Sequence, residues 1–320
     1  MQNKKMKKLN NNGSFFQNHI LLFVILGISI ILSLLSSHFL TVSNFINIAR
    51  QISINFILAA GLTMVIITGG IDLSVGSIVA FSGVIAGMYL NTGGNFLTAI
   101  LLALLVGTLC GFINGILVSR FKMAPFIATL GMMSMARGLA LVLTKGSSIT
   151  IDNSNYTFFG GGYLFGIPMP VVVAAIIFFV VYLLLNKTRL GRTFFAIGGN
   201  EEASRLSGIK VAKKYLIVYS LSGFLAGLAS VVLTARLWAA PPIAGQGFEL
   251  HAIAASVIGG ASLMGGTGTI LGTLYGAFII GIIRNGLNLL GVASFWQQFA
   301  IGLIIIVAVL FDRIRKNKTA

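Results

Sequence analysis

From about residue 20 to residue 311 the sequence is a succession of apolar runs, separated by short polar breaks. Crossing a hydrocarbon core of roughly 30 Å takes about 20 helical residues, and a span in lipid must satisfy its own backbone. The runs are far too long for barrel strands of about ten residues. The expected fold is therefore an all-α integral membrane protein, a polytopic bundle of about ten helices. Candidate crossings lie at about 20–40, 52–68, 76–90, 97–118, 126–144, 168–186, 214–235, 250–262, 267–290 and 296–311. A composition of 57% hydrophobic and 9% charged residues leaves little chain for a soluble domain. One transmembrane domain over residues 1–320, embedded in the lipid bilayer, is expected.

The formal net charge of +16 would suggest nucleic acid in a soluble protein. Here the cations fall in discrete short loops, so orientation explains them and no nucleic-acid partner is expected. With the N-terminus inside, the cytoplasmic segments hold Lys4, Lys5, Lys7 and Lys8, then Arg120 and Lys122, a dense group from Lys187 to Lys214, and Arg313, Arg315, Lys316 and Lys318. The outer loops hold only Arg50, Lys145 and Arg236, while Arg137 and Arg284 fall within or at the ends of helices. That bias puts both termini in the cytoplasm. It defines a cytoplasmic segment 1–18, an extracytoplasmic loop 145–167 and a cytoplasmic loop 187–213. The apolar stretch from His19 to Leu40 is too long for a signal-peptide core and lacks a small-residue cleavage site, so it reads as an uncleaved first crossing. Charge fixes only parity: the turns around 69–76, 91–95 and 262–266 carry no Lys or Arg, and a broken or re-entrant helix at any of them changes the count.

Glycine is the second organising signal. Gly107, Gly111 and Gly115 are spaced four apart, as are Gly268, Gly272 and Gly276, with single pairs at Gly83/Gly87 and Gly223/Gly227. Small residues on one helix face let another backbone approach closely, either within the chain or, for one such face, in a homodimer. A faint internal similarity links TGGIDLSVGS (68–77) with IGGASLMGGT (258–267), and Asn114-Gly115 with Asn285-Gly286. Transporters are often built from such repeats.

Groups able to carry chemistry are few. His19, His38 and His251 are far apart, with no Cys or carboxylate at metal-ligand spacing, so neither a metal nor a cofactor is expected. The lone Cys110 sits in an apolar run. No phosphate-cradling GxxxxGK[ST] occurs, so an ATPase would have to be another subunit. Asp72, between glycines in GGIDLSVG, suits a helix break whose free amides a carboxylate caps, a direct ligand or ion role being the alternative. Asn55, Asn114 and Asn285, with Thr63, Gln246 and Asn288, are candidates to line a path for a neutral polar solute, or else to bond neighbouring helices. In the outer loop Tyr156, Phe158, Phe159, Tyr163 and Phe165 read as an interfacial belt or a docking surface.

The inner loop contains GGNEEASRLSG, residues 198–208, with two of the chain's six acidic residues side by side. Asn200 suits an N-cap, Glu201 and Glu202 complement the dipole of a first turn, and Gly208 suits a left-handed stop, which predicts a short helix over 201–207. Ala203, Leu206 and Ile209 give it an apolar face, and so short a helix needs something to pack on, this chain's own cytoplasmic surface included.

Glu202-Ala203-Ser204 followed by Gly208 resembles the Glu-Ala-Ala loop of ABC importer permeases, with Ser in the third place and the downstream Leu-Pro absent. Four blocks (69–87, 124–146, 196–211 and 258–292) are similar, in order and spacing, to the permease subunits of bacterial ribose importers, and related pentose, hexose and autoinducer importers share them. The resemblance implies an inner-membrane transport subunit rather than an enzyme. Its implied partners are a second copy of the chain, a cytoplasmic ATP-binding subunit and an extracytoplasmic sugar-binding protein. On this footing Asn200, Glu201, Glu202, Ala203, Ser204, Leu206 and Gly208 form an ATPase-coupling loop that inserts in a cleft of the ATPase. Arg50 and Arg236 would face acidic groups of the binding protein, or else snorkel at the interface. Two other classes stand beside it: an ion-coupled transporter or channel working alone, and a membrane-embedded enzyme, for which Glu249 and His251 are the closest pair.

Overall fold

The computed structural model describes residues 20–317, so the expected cytoplasmic segment 1–18 lies outside the described residues, as do His19 and Lys318. The described chain is almost wholly helical. Its elements are α1 (Ile20–Leu35), α2 (Val42–Ile67), α3 (Val75–Asn91), α4 (Phe96–Ser119), α5 (Pro125–Thr144), α6 (Ser154–Gly161), α7 (Met169–Lys187), α8 (Arg189–Gly199), α9 (Glu201–Leu206), α10 (Val211–Leu237), α11 (Phe248–Ile258), α12 (Ile270–Leu289) and α13 (Ser294–Asn317). Two antiparallel strand pairs complete it: β1 (Ile149–Thr150) with β4 (Ala239–Ala240), and β2 (Tyr163–Leu164) with β3 (Ile167–Pro168).

Among the described residues six helices are long and apolar enough to cross a membrane: α2, α4, α5, α7, α10 and α12. Three expected crossings rest on shorter helices: α1, which ends at Leu35 where the apolar pattern suggested residue 40, α3, which covers its expected 76–90, and α11. α3 has 17 residues, and α11 only 11, ending at Ile258 where the apolar pattern suggested residue 262. At 1.5 Å per residue they span about 25 and about 16 Å, short of the core, and non-helical stretches at 68–74 and 241–247 precede them.

α2 is the central post, with every residue from Ile52 to Ile67 buried. By contrast Leu97, Leu101, Leu105 and Leu109 form an exposed stripe on α4, the expected outer face toward lipid. The opposite face of α4 is small, and there the glycine spacing takes effect. A Cβ at Gly107 would meet the Gly223 carbonyl, one at Gly111 the Tyr219 carbonyl, and one at Gly115 the Leu216 backbone. α4 and α10 therefore pack backbone to backbone. Gly272 lies against Gly259, Gly276 against Ala255, and Gly83 against Ser230 and Thr234. Each of these glycine faces is spent inside the chain.

Buried polar pairs fasten the bundle where lipid gives no hydrophobic drive. The Thr63 hydroxyl lies 2.9 Å from that of Ser256 and 2.7 Å from that of Thr273, tying α2 to α11 and α12. Ser230 donates to the Val79 carbonyl at 2.7 Å.

The outer loop is a folded cap. Tyr156, expected in an interfacial belt, is instead fully buried, its hydroxyl 2.9 Å from that of Thr234. Phe165 and Gly166 both have positive φ, as a two-residue hairpin turn between β2 and β3 requires, and Phe165 stands 96% exposed at the tip.

Candidate functional site

The segment between α7 and α10, expected to be cytoplasmic, folds into α8 and α9, and the sequence explains α9 residue by residue. The Asn200 side chain accepts from the Ala203 amide at 2.9 Å, and Glu201 and Glu202 occupy the first turn. At the other end the Ile209 amide donates to the Ser204 carbonyl and the Gly208 amide to the Arg205 carbonyl, with Gly208 at φ +83°. This is the Schellman arrangement, which needs a residue at ease in the left-handed region. Glu202 takes both Arg205 nitrogens, at 2.6 and 3.1 Å, and that contact holds its carboxyl below the usual carboxylate range. Both side chains are exposed, so the pair adds little stability.

The apolar face of α9 packs on this chain only through half-buried Ile209. Ala203 is exposed and Leu206 is 78% exposed, while Ser204 is the buried residue of the helix. This helix of 6 residues thus presents a bare leucine at the surface.

Next to α9 three glycine-bearing segments converge. The Gly266 amide donates to the Ile67 carbonyl at 2.9 Å, a Cβ at Gly198 would strike that same carbonyl, and Gly265 lies against Gly198 and Gly69. The two segments whose sequences resemble one another, 68–77 and 258–267, thus meet on the end of α8.

A line of hydroxyls on α10 then runs upward. The Tyr215 hydroxyl is 3.0 Å from the Glu201 carboxylate and 3.3 Å from the Thr68 carbonyl, so its single proton serves both. Tyr219 reaches the Ile71 carbonyl at 3.4 Å. Ser222 donates to Asp72 Oδ2 at 2.9 Å. Asp72 Oδ1 accepts from the Ser74 amide at 3.0 Å and hydroxyl at 2.6 Å, ahead of the first turn of α3. Asn114 on α4 donates to that Ser74 hydroxyl at 2.9 Å, and its own carbonyl oxygen is buried without a partner among the described residues. Asp72 is wholly buried. Ser222 stands about 16 Å along α10 from Val211, so α3 begins near mid-depth.

α11 also begins near mid-depth, because its lead-in loop and first turn rest on the start of α3. A Cβ at Gly76 would meet the Gly245 carbonyl and the Glu249 carboxylate. Arg137 on α5 donates to the Pro242 and Ala244 carbonyls of that loop.

The remaining sequence candidates scatter. Asn285 exchanges hydrogen bonds with Asn44 at 2.7 and 3.1 Å, tying α12 to α2, and Asn288 accepts from Gln297 at 2.8 Å. Asn55 is buried with no side-chain bond among the described residues. Arg50 donates to the Gly161 carbonyl at 3.1 Å and lies 5.1 Å from the Tyr163 ring centre. Half-buried Arg236 acts on the charges of Arg50 and Arg284, and no ion pair joins any of the three to an acid among the described residues. His251 and Glu249 share a helix turn without bonding, and the buried Nδ1 of His251 has no partner.

Sequence reasoning missed Tyr215, Tyr219 and Ser222. Their spacing of four and three along an apolar helix was the available signal.

The family model described as branched-chain amino acid transport system, permease component, matches residues 44–309. The chain is 49% identical over 286 residues to the ribose import permease protein RbsC of Bacillus subtilis (strain 168), covering 89% of each. It is 47% identical over 295 residues to the protein of the same name in Escherichia coli (strain K12), covering 91% of this chain and 92% of that one. Against the D-allose transport system permease protein AlsC of Escherichia coli (strain K12) the identity is 40% over 310 residues, 96% of this chain and 95% of the other. No solved structure matches.

Proposed function

We infer the function from one premise: the chain belongs to the family of permease components of branched-chain amino acid transport systems. It is the multi-pass inner-membrane subunit of an ATP-driven ABC importer, a transport subunit whose ATP is hydrolysed on a separate protein. The cargo is ribose or a related monosaccharide. Identity of 49% and 47% along about nine-tenths of the chain to proteins named for ribose import carries this reading. A transporter driven by an ion gradient alone is not favoured, since the relatives are named as permeases of import systems.

The chain works as a homodimer, with an ATP-binding subunit below and a sugar-binding protein above. Both termini are cytoplasmic, and about ten crossings result when α1 and α13 join the six long helices and α3 and α11 are completed by the non-helical chain that precedes each. α9 enters a cleft of the ATPase through Ala203 and Leu206, held rigid by Asn200 and Gly208. Closure of the ATPase moves Glu201, and the shared Tyr215 proton passes that movement to the 68–74 segment. Asp72 then carries it to the start of α3 at mid-depth. Two discrete packings of such a junction suffice to alternate access. On the outer face Arg50 and Arg236 meet acidic groups of the binding protein, beside the bare Phe165.

Proteoliposomes holding the chain with its ATPase and binding protein test the reading. Labelled ribose should accumulate only with ATP present. Accumulation driven by an ion gradient with the ATPase omitted would sink it.

A further inference from the structure

At mid-depth two side chains of opposite charge use one end each to hold the loop before α11. Arg137 spends only Nη1, at 2.6 Å from the Pro242 carbonyl and 2.8 Å from that of Ala244. Its Nε and Nη2 make no hydrogen bond among the described residues and are not sealed from open space. Glu249 accepts the Gly247 amide through Oε1 at 3.2 Å and also its own backbone amide, and its Oε2 lies beside Gly76 with no bond to another residue among those described. Both side chains are half-buried and act on one another's charge, yet they form no direct ion pair. Beside them Gln246 is exposed, and its amide is unbonded among the described residues.

Ionisable groups at membrane depth are costly, and two opposite charges that stay apart leave much of that cost unrelieved. The ligand that relieves it must offer donors to Glu249 and acceptors to Arg137 at once. A cation is repelled by Arg137 and an anion by Glu249. A neutral polyol meets both demands, because each hydroxyl donates and accepts. We propose that Arg137, Glu249 and Gln246 form the polar wall against which the transported monosaccharide rests halfway across the membrane. The inference rests on the sugar-importer reading and adds to it the residues that touch the sugar. One hydroxyl donates to Glu249 Oε2 while a neighbouring one accepts from Arg137, and so few contacts keep the stop brief, as conduction requires.

Glu249→Gln in the reconstituted complex is the first test, since it keeps shape and the acceptor for Gly247 while removing the charge. Ribose uptake should fall about tenfold, the scale of one hydrogen bond to a charged group. Binding-protein-stimulated ATP hydrolysis should change by less than about twofold, because the substitution keeps the side chain's shape against the start of α3 and the acceptor for Gly247. Unchanged uptake, or uptake and hydrolysis falling together as for a lost loop clamp, overturns the proposal. Gln246→Cys gives a second reading, because the chain's one cysteine, Cys110, is buried. Ribose supplied during turnover should slow labelling of the new thiol by a small polar reagent, and equal labelling with and without ribose overturns the proposal. Failure of the unmodified complex to take up ribose would overturn the importer reading as well, which the first two failures leave standing.

Discussion

At the scale of single residues, the molecule depends on polar atoms with no slack. The Tyr215 hydroxyl has one proton and two acceptors, the Glu201 carboxylate and the Thr68 carbonyl. Tyr215→Phe removes that link and keeps the ring. Sugar moved per ATP hydrolysed should fall about two- to tenfold, the scale of one neutral hydrogen bond, while stimulated hydrolysis persists; parallel uptake and phosphate-release assays check it. Asp72 is the opposite case, a buried carboxylate with every near donor engaged. Asp72→Ala orphans Ser222 and the Ser74 amide, so it should cost about 1–3 kcal/mol and lower the unfolding temperature of the detergent-solubilised protein. The glycines flanking Asp72 announced a helix break in the sequence. Its partner Ser222 was hidden, since one serine among apolar residues carries no label of what it faces.

At the scale of elements, hydropathy exposed the long helices and glycine spacing exposed how they meet. Gly111 has no room for a side chain, whereas a Cβ at exposed Gly131 of α5 would meet nothing within 4 Å. Gly111→Leu should therefore prevent a monodisperse protein from being recovered, and Gly131→Leu should not; size-exclusion profiles at matched expression decide it. In α9 the left-handed φ of Gly208 makes even Gly208→Ala cost about 1 kcal/mol. That variant should insert normally, yet co-purify with less ATPase. What hydropathy could not show was where a crossing is only half helical. The stretch AAPPIAGQG before α11 is uncharged and mostly apolar, so it merges with the spans beside it, although Pro241-Pro242 marks a break. α11 accordingly starts and stops earlier than the apolar pattern suggests.

At the scale of the whole molecule, the two ends differ in how they hold charge. The inner end pairs Glu202 with Arg205 and Glu201 with Tyr215, so α9 presents itself largely through its shape and its bare leucine. The outer end gathers Arg50, Arg236 and Arg284 without an acidic partner among the described residues. Such a surface is repulsive in isolation, which supports the proposed docking of negative charge on it. Arg236 makes no hydrogen bond among the described residues, so reversing it removes charge complementarity without breaking a structural bond. Arg236→Glu should therefore weaken stimulation of ATP hydrolysis by the binding protein about tenfold at low salt, with basal hydrolysis unchanged. The deficit should shrink as ionic strength approaches about 1 M, where the screening length falls to about 3 Å. A deficit independent of salt would show that Arg236 acts through packing at the end of α10, and the docking role would then pass to the hairpin tip at Phe165.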